Sequence, residues 1–143
     1  MPSRAQVGGG AGPRTLLYVE DNPVNLQLVE EIVALRPQMR LLSAPDAILG
    51  IELARSSLPD VILMDMKLPG MSGGEALKIL RQDPATAHIP VIAFSANALR
   101  HEIEKALAAG FFRYITKPFR ISEFLETVDV ALEFAKTGAN RGK

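Results

Sequence analysis

Four apolar runs in this chain each stop at a polar residue, and that arrangement constrains the fold more than any other feature. Leu16-Leu17-Tyr18-Val19 ends at Glu20-Asp21, Val61-Ile62-Leu63-Met64 at Asp65, and Val91-Ile92-Ala93-Phe94 at Ser95. The fourth, Phe111-Phe112-Arg113-Tyr114-Ile115, leads through Thr116 to Lys117-Pro118. The central runs are continuously apolar rather than alternating, as expected of parallel strands buried on both faces. Helical patterns lie between them, which predicts an α/β chain with a covered parallel sheet. With the runs as neighbouring strands, three carboxylates, a hydroxyl and an ammonium converge at the carboxyl edge, where open α/β sheets form ligand sites.

The helix signals complete five strand–helix units, (βα)5. Asn22-Pro23 reads as an N-cap followed by Pro at the first helical position, with Val24, Leu28, Ile32 and Leu35 as the apolar stripe. Ala44-Pro45 opens a second helix carrying Ile48, Ile51 and Leu53, after a second strand around Met39 to Ser43. Ser72 with Glu75 three residues on fits a capping box ahead of Leu77 and Leu80. Leu99, Ile103, Ala106 and Leu107 make a fourth stripe, stopped by Gly110. Phe124, Val128 and Leu132 make a fifth, ending near Lys136. The Gly-rich residues 1–13 read as a flexible N-terminal linker or appended segment, residues 14–136 as one domain, and residues 137–143 as a flexible tail.

Composition narrows the function classes. Sixteen basic residues balance sixteen acidic ones with no dense Lys/Arg run, so electrostatics gives no reason to bind nucleic acid or an anionic membrane. Cysteine is absent, which removes disulfide and thiolate chemistry and suits a cytoplasmic location. The apolar runs fall far short of the roughly 20 residues a membrane span needs. His88 and His101 read as solvent-facing, without metal-ligand spacing. Phe111 and Phe112 read as packing aromatics.

Asp65 follows a buried strand and precedes the turn-rich Met66-Lys67-Leu68-Pro69-Gly70. A carboxylate so placed can act as a nucleophile toward phosphorus. Three crowded carboxylates repel unless a cation sits among them, and Glu20 with Asp21 could hold Mg²⁺, which takes one or two protein carboxylates plus water and phosphate oxygens. Lys117 supplies positive charge for phosphate oxygens and Ser95 a donor hydroxyl. Phosphoryl transfer asks little more of a protein than positioning and electrostatics.

From Asp21 to Asp65 is 44 residues, from Asp65 to Ser95 is 30, and from Ser95 to Lys117 is 22. In these spacings and residues, from about Thr15 to Phe134, the chain resembles the receiver domain of two-component response regulators and hybrid histidine kinases. The resemblance implies a flavodoxin-like doubly wound sheet of order 2-1-3-4-5 and a receiver spanning residues 14–136. It implies that Asp65 is the phosphorylated residue in a domain that catalyses its own phosphorylation and dephosphorylation. Asp21, Asp65 and the Met66 carbonyl would ligate Mg²⁺, with Glu20 acting directly or through water. Ser95 and Tyr114 would be the switch pair, Lys117 the phosphate-pairing lysine, and Lys117–Pro118 a cis peptide. Phosphorylation would alter the surface of the fourth helix, fifth strand and fifth helix. Lys67 and Asn97 lie where side chains influence attack of water on the acyl phosphate, and Lys67 is expected to shield it.

Three other readings compete. A haloacid-dehalogenase-type phosphatase wants a second Asp two residues after the nucleophile, where this chain has Lys67. A flavodoxin wants a Ser/Thr/Gly-rich phosphate loop where this chain has Glu20-Asp21-Asn22-Pro23. A degenerate receiver serving only protein binding would not need every chemical position filled. The Asp21-Asn22-Pro23-Val24-Asn25 run and the Ala109–Phe119 run look most like receivers fused to hybrid sensor kinases. On that reading the Gly-rich start is a linker from a kinase core, with Met1 an added initiator, and too few residues follow Lys136 for an output domain. The expected partner is a histidine kinase or histidine-phosphotransfer domain, docking near Asn25, Leu26 and the loop after Lys117. The alternative is a stand-alone regulator acting as a relay or phosphate sink.

Overall fold

The computed structural model describes residues 13–141; the expected N-terminal linker, up to residue 12, and residues 142–143 lie outside the described residues. Within the described residues five strands alternate with five helices: β1 (Arg14–Val19), α1 (Pro23–Val33), β2 (Met39–Ala44), α2 (Ala47–Ser57), β3 (Val61–Asp65), α3 (Gly73–Gln82), β4 (Val91–Ser95), α4 (Arg100–Ala109), β5 (Arg113–Thr116) and α5 (Ile121–Arg141). All neighbouring strands pair in parallel, in the order β2-β1-β3-β4-β5. This is the 2-1-3-4-5 doubly wound arrangement, in which the chain reverses direction across the sheet between β1 and β3.

Side-chain alternation along the strands divides the core into two layers. Leu16, Tyr18, Val61, Leu63, Ile92, Phe94 and Ile115 pack against Val29, Ile32 and Val33 of α1 and Phe124, Val128 and Ala131 of α5. Leu17, Val19, Ile62, Met64, Val91 and Ala93 pack against α2, α3 and α4. All residues of β3 and β4 are buried, consistent with strands covered on both sides.

Local chemistry sets the helix starts. The Asn22 side chain accepts from the backbone N–H groups of Val24 and Asn25, with Pro23 as the first helical residue. At α3, Ser72 and Glu75 form the reciprocal capping box. Gly110 ends α4 at φ 119°, a left-handed geometry that favours glycine.

Several helical faces differ from expectation. In α1 the buried residues are Val29, Ile32 and Val33, whereas Val24 and Leu28, and Leu35 just past the helix end, are exposed. The helix is apolar on more than one face, so periodicity alone does not select the inward stripe. In α2, Asp46 caps the start and Ile48 is exposed, while Ala47, Gly50, Ile51 and Ala54 are buried. Gly50 permits this approach: a Cβ there would lie 2.7 Å from the Val19 side chain. The fifth helix continues past Lys136 to Arg141. Gly138 makes continuation less favourable by about 1 kcal/mol relative to Ala but does not forbid it, and the Thr137 hydroxyl donates to the Glu133 carbonyl one turn back. Among the described residues no helix is long and apolar enough to cross a membrane.

Candidate active site

The strand ladders carry the reactive residues to one edge. Just past the strand ends, the N–H of Glu20 donates to Ala44, that of Met66 to Phe94, and that of Lys117 to Ser95, at 2.8–2.9 Å. The backbone of all three is therefore still held by the sheet. The N-terminus of α3 closes against Asp65 because Gly73 lacks a side chain: a Cβ there would fall 2.9 Å from the Met66 sulfur and 3.1 Å from the Asp65 carbonyl oxygen.

The polar groups fall into two linked sets. In the first, the Lys117 ammonium donates to Asp65 Oδ2 at 3.2 Å and to Glu20 Oε1 at 3.3 Å. Glu20 and Asp65 are only 3% and 5% exposed, whereas Asp21 is open to solvent. Asp65 Oδ1 accepts the Lys67 N–H at 2.8 Å, while the Lys67 residue itself is exposed. In the second set, Ser95 Oγ accepts from the Asn97 N–H at 3.0 Å, leaving its own hydrogen to donate. The Asn97 carbonyl accepts the Tyr114 hydroxyl at 2.8 Å, so one peptide segment joins Ser95 to Tyr114. The Lys117–Pro118 peptide bond is cis.

One carboxylate oxygen each from Glu20, Asp21 and Asp65 lies within 4.8 Å of the others. Burial pushes the Glu20 carboxyl above its ordinary range and the neighbouring Asp65 carboxylate adds to this, while the Tyr18 hydroxyl and Lys117 oppose it. One ammonium against three carboxylates leaves an excess of negative charge on hard oxygen donors. That donor chemistry fits a small divalent cation such as Mg²⁺.

The structure also places two residues at the site that sequence reading assigned only to the strands. The Tyr18 hydroxyl donates to Glu20 Oε1, and the Phe94 ring lies under Lys117, with Nζ 5.3 Å from its centroid. The available signal for Tyr18 was its position two residues before Glu20, on the same face of one strand. Beside them a groove of about 340 Å³ opens between α1 and the loop after Lys117, lined by Asn25, Leu28, Pro118 and Phe119. His88 and His101 are exposed.

Residues 16–129 match the family described as the response regulator receiver domain. The polar-differentiation response regulator DivK of Brucella anthropi is 35% identical over 116 residues, which span 81% of this chain and 94% of DivK. The receiver domain of sensor histidine kinase PA1611 from Pseudomonas aeruginosa PAO1, solved with a magnesium ion coordinated in its active site cleft, is 31% identical. Its TM-score is 0.75, over 87% of this chain and 99% of that one. The chemotaxis protein CheY4 of Vibrio cholerae shares the fold at a TM-score of 0.78 and 22% identity, covering 85% of this chain and all of that one.

Proposed function

The chain belongs to the response regulator receiver domain family, and on that premise we propose that it takes a phosphoryl group from a phosphohistidine onto Asp65. The carrying observation is the Lys117 ammonium bridging Asp65 and Glu20 with Asp21 alongside, at the carboxyl edge of the sheet. An Asp65 carboxylate oxygen forms a bond to phosphorus as the P–N bond of the phosphohistidine breaks, and the imidazole keeps the electron pair. Attack of water on phosphorus later releases inorganic phosphate and restores the carboxylate.

Glu20, Asp21, Asp65 and the Met66 carbonyl would hold Mg²⁺, which supplies charge neutralisation for the transferring group. Lys117 shifts from the carboxylates to a phosphoryl oxygen, and Ser95 donates its free hydrogen to another. Because Ser95 and Tyr114 share Asn97, movement of Ser95 is felt at Tyr114 and at the surface of α4, β5 and α5. This needs only that the phosphorylated state prefer one of two accessible arrangements. Exposed Lys67, two residues after Asp65, shields the acyl phosphate and lengthens its lifetime, and Asn97, two after Ser95, also influences attack of water.

The donor is a histidine kinase or histidine-phosphotransfer domain. Leu28 is 43% exposed at the groove beside Lys117, and with Asn25 and Leu26 on α1 it offers a helix a mixed apolar and polar seat. The sequence runs around Asp21 and Lys117, and the likeness to the PA1611 receiver, support residues 14–136 as the receiver of a hybrid histidine kinase. A second reading, a stand-alone regulator, is supported by DivK, whose length the match nearly spans.

Intact-mass spectrometry after incubation with acetyl phosphate and Mg²⁺ tests the central step. One added phosphoryl group is expected in the wild type, and none without metal or in Asp65→Asn. An adduct that survives in Asp65→Asn would overturn the assignment.

A further inference from the structure

Tyr18 is fully buried in the layer between the sheet and α1/α5, and its ring packs on Phe94 with centroids 5.6 Å apart. A buried tyrosine hydroxyl needs a partner, and here the partner is Oε1 of Glu20. The same oxygen receives the Lys117 ammonium, and Oε2 accepts the Asn22 N–H at 3.2 Å. A carboxylate offers about four acceptor positions. Three are filled, leaving one on Oε2 available.

We propose that Tyr18 is a positioning residue of the cation site: its hydroxyl fixes the Glu20 carboxylate so that the remaining acceptor position serves a bound Mg²⁺. The inference rests on the metal-dependent reading above and adds a residue to it. Its weight comes from what happens when Lys117 turns to a phosphoryl group. Oε1 then loses one of two donors, and the Tyr18 hydroxyl is the side-chain donor that remains. Neighbours that orient a metal-binding group in this way typically change metal affinity by about 10–100-fold when removed.

Tyr18→Phe tests this with little disturbance of packing, since the ring still fills the space against Phe94. Calorimetric titration of Mg²⁺ into wild type, Tyr18→Phe and Tyr114→Phe should give about 10-fold weaker binding in Tyr18→Phe alone. The Mg²⁺-induced rise in thermal midpoint should shrink in parallel, beyond any change in the metal-free midpoint. A purely structural role would lower the metal-free midpoint and leave Mg²⁺ affinity within twofold of wild type, overturning the proposal. A wild type that binds no Mg²⁺ overturns the metal-site reading itself, and this role with it. Should the variant fail to fold, wild-type protein labelled with 3-fluorotyrosine answers the same question, because the chain has only two tyrosines. The Tyr18 fluorine resonance should shift with Mg²⁺ occupancy, and an unmoved resonance overturns the proposal.

Discussion

The helices α5 and α4 flank β5 but are held very differently. Phe124, Val128 and Ala131 of α5 are fully buried. The helix is also tied through the bidentate Arg36–Asp129 pair and through Arg14, which donates to the Leu132 carbonyl. By contrast, α4 buries only Ala106, leaves Leu99 and Leu107 exposed, and has no side-chain cap at its start. The site chemistry divides along the same line. Glu20, Asp65 and Lys117 stand over the densely packed aromatic layer of Tyr18, Phe94, Phe119 and Phe124. Ser95, Asn97 and Tyr114 lead toward α4. On the proposed reading, groups that position the phosphoryl transfer rest on the more deeply packed half, and groups that would report the outcome rest on the half with fewer buried apolar contacts, where local opening is expected to cost less.

Paired truncations offer the largest effect with which to break this contrast. Phe124→Ala should lower unfolding free energy by about 3–5 kcal/mol, whereas Leu107→Ala should stay within roughly 1 kcal/mol. Denaturant titration measures both, and comparable losses would remove the distinction. Next in size, Tyr114→Phe deletes the bond to the Asn97 carbonyl and should cost about 1 kcal/mol while leaving phosphoryl uptake at Asp65 unchanged. Impaired uptake in intact-mass measurements would mean that the two halves are not separable.

Smaller still, Lys67→Ala should shorten the acyl-phosphate lifetime by roughly threefold, in keeping with an exposed charge interaction below about 1 kcal/mol. An unchanged decay rate would assign Lys67 to solvent. The smallest effect lies far from the site. The Ala85 N–H and then the Arg55 guanidinium hold the Asp83 carboxyl below its ordinary 3.8. A depressed carboxylate contributes stability that is present above its unfolded value and lost as pH falls through the folded one. The stability gap between wild type and Asp83→Asn should therefore be present at neutral pH and close below pH 3.8. A gap independent of pH would contradict the pairing.

The sheet was legible in the sequence because buried parallel strands leave uninterrupted apolar runs, and the polar residue ending each run marks the edge. Strand order came from resemblance to a family, since apolar runs do not say which neighbours they choose. Helix faces were less legible. In α1, Val24, Leu26, Leu28, Val29, Ile32 and Val33 offer more than one stripe, and packing against the sheet rather than periodicity selects Val29, Ile32 and Val33. The composition of residues 137–143 reads as a flexible tail, yet α5 runs on to Arg141, because a glycine within such a segment only weakens a helix. At the site, order and spacing brought forward the charged residues and Ser95. The link from Tyr18 to Glu20 was hidden, because a tyrosine in a strand already has a packing explanation.

Hydrogen exchange with and without beryllium fluoride and Mg²⁺, which together mimic the phosphorylated aspartate, tests the division of the molecule most directly. Protection should change most in the segment from Ser95 through α4 and in β5, with a smaller change in α5, where Phe124 and Val128 are buried. Equal changes in α4 and α5, or a response confined to α5, would contradict it.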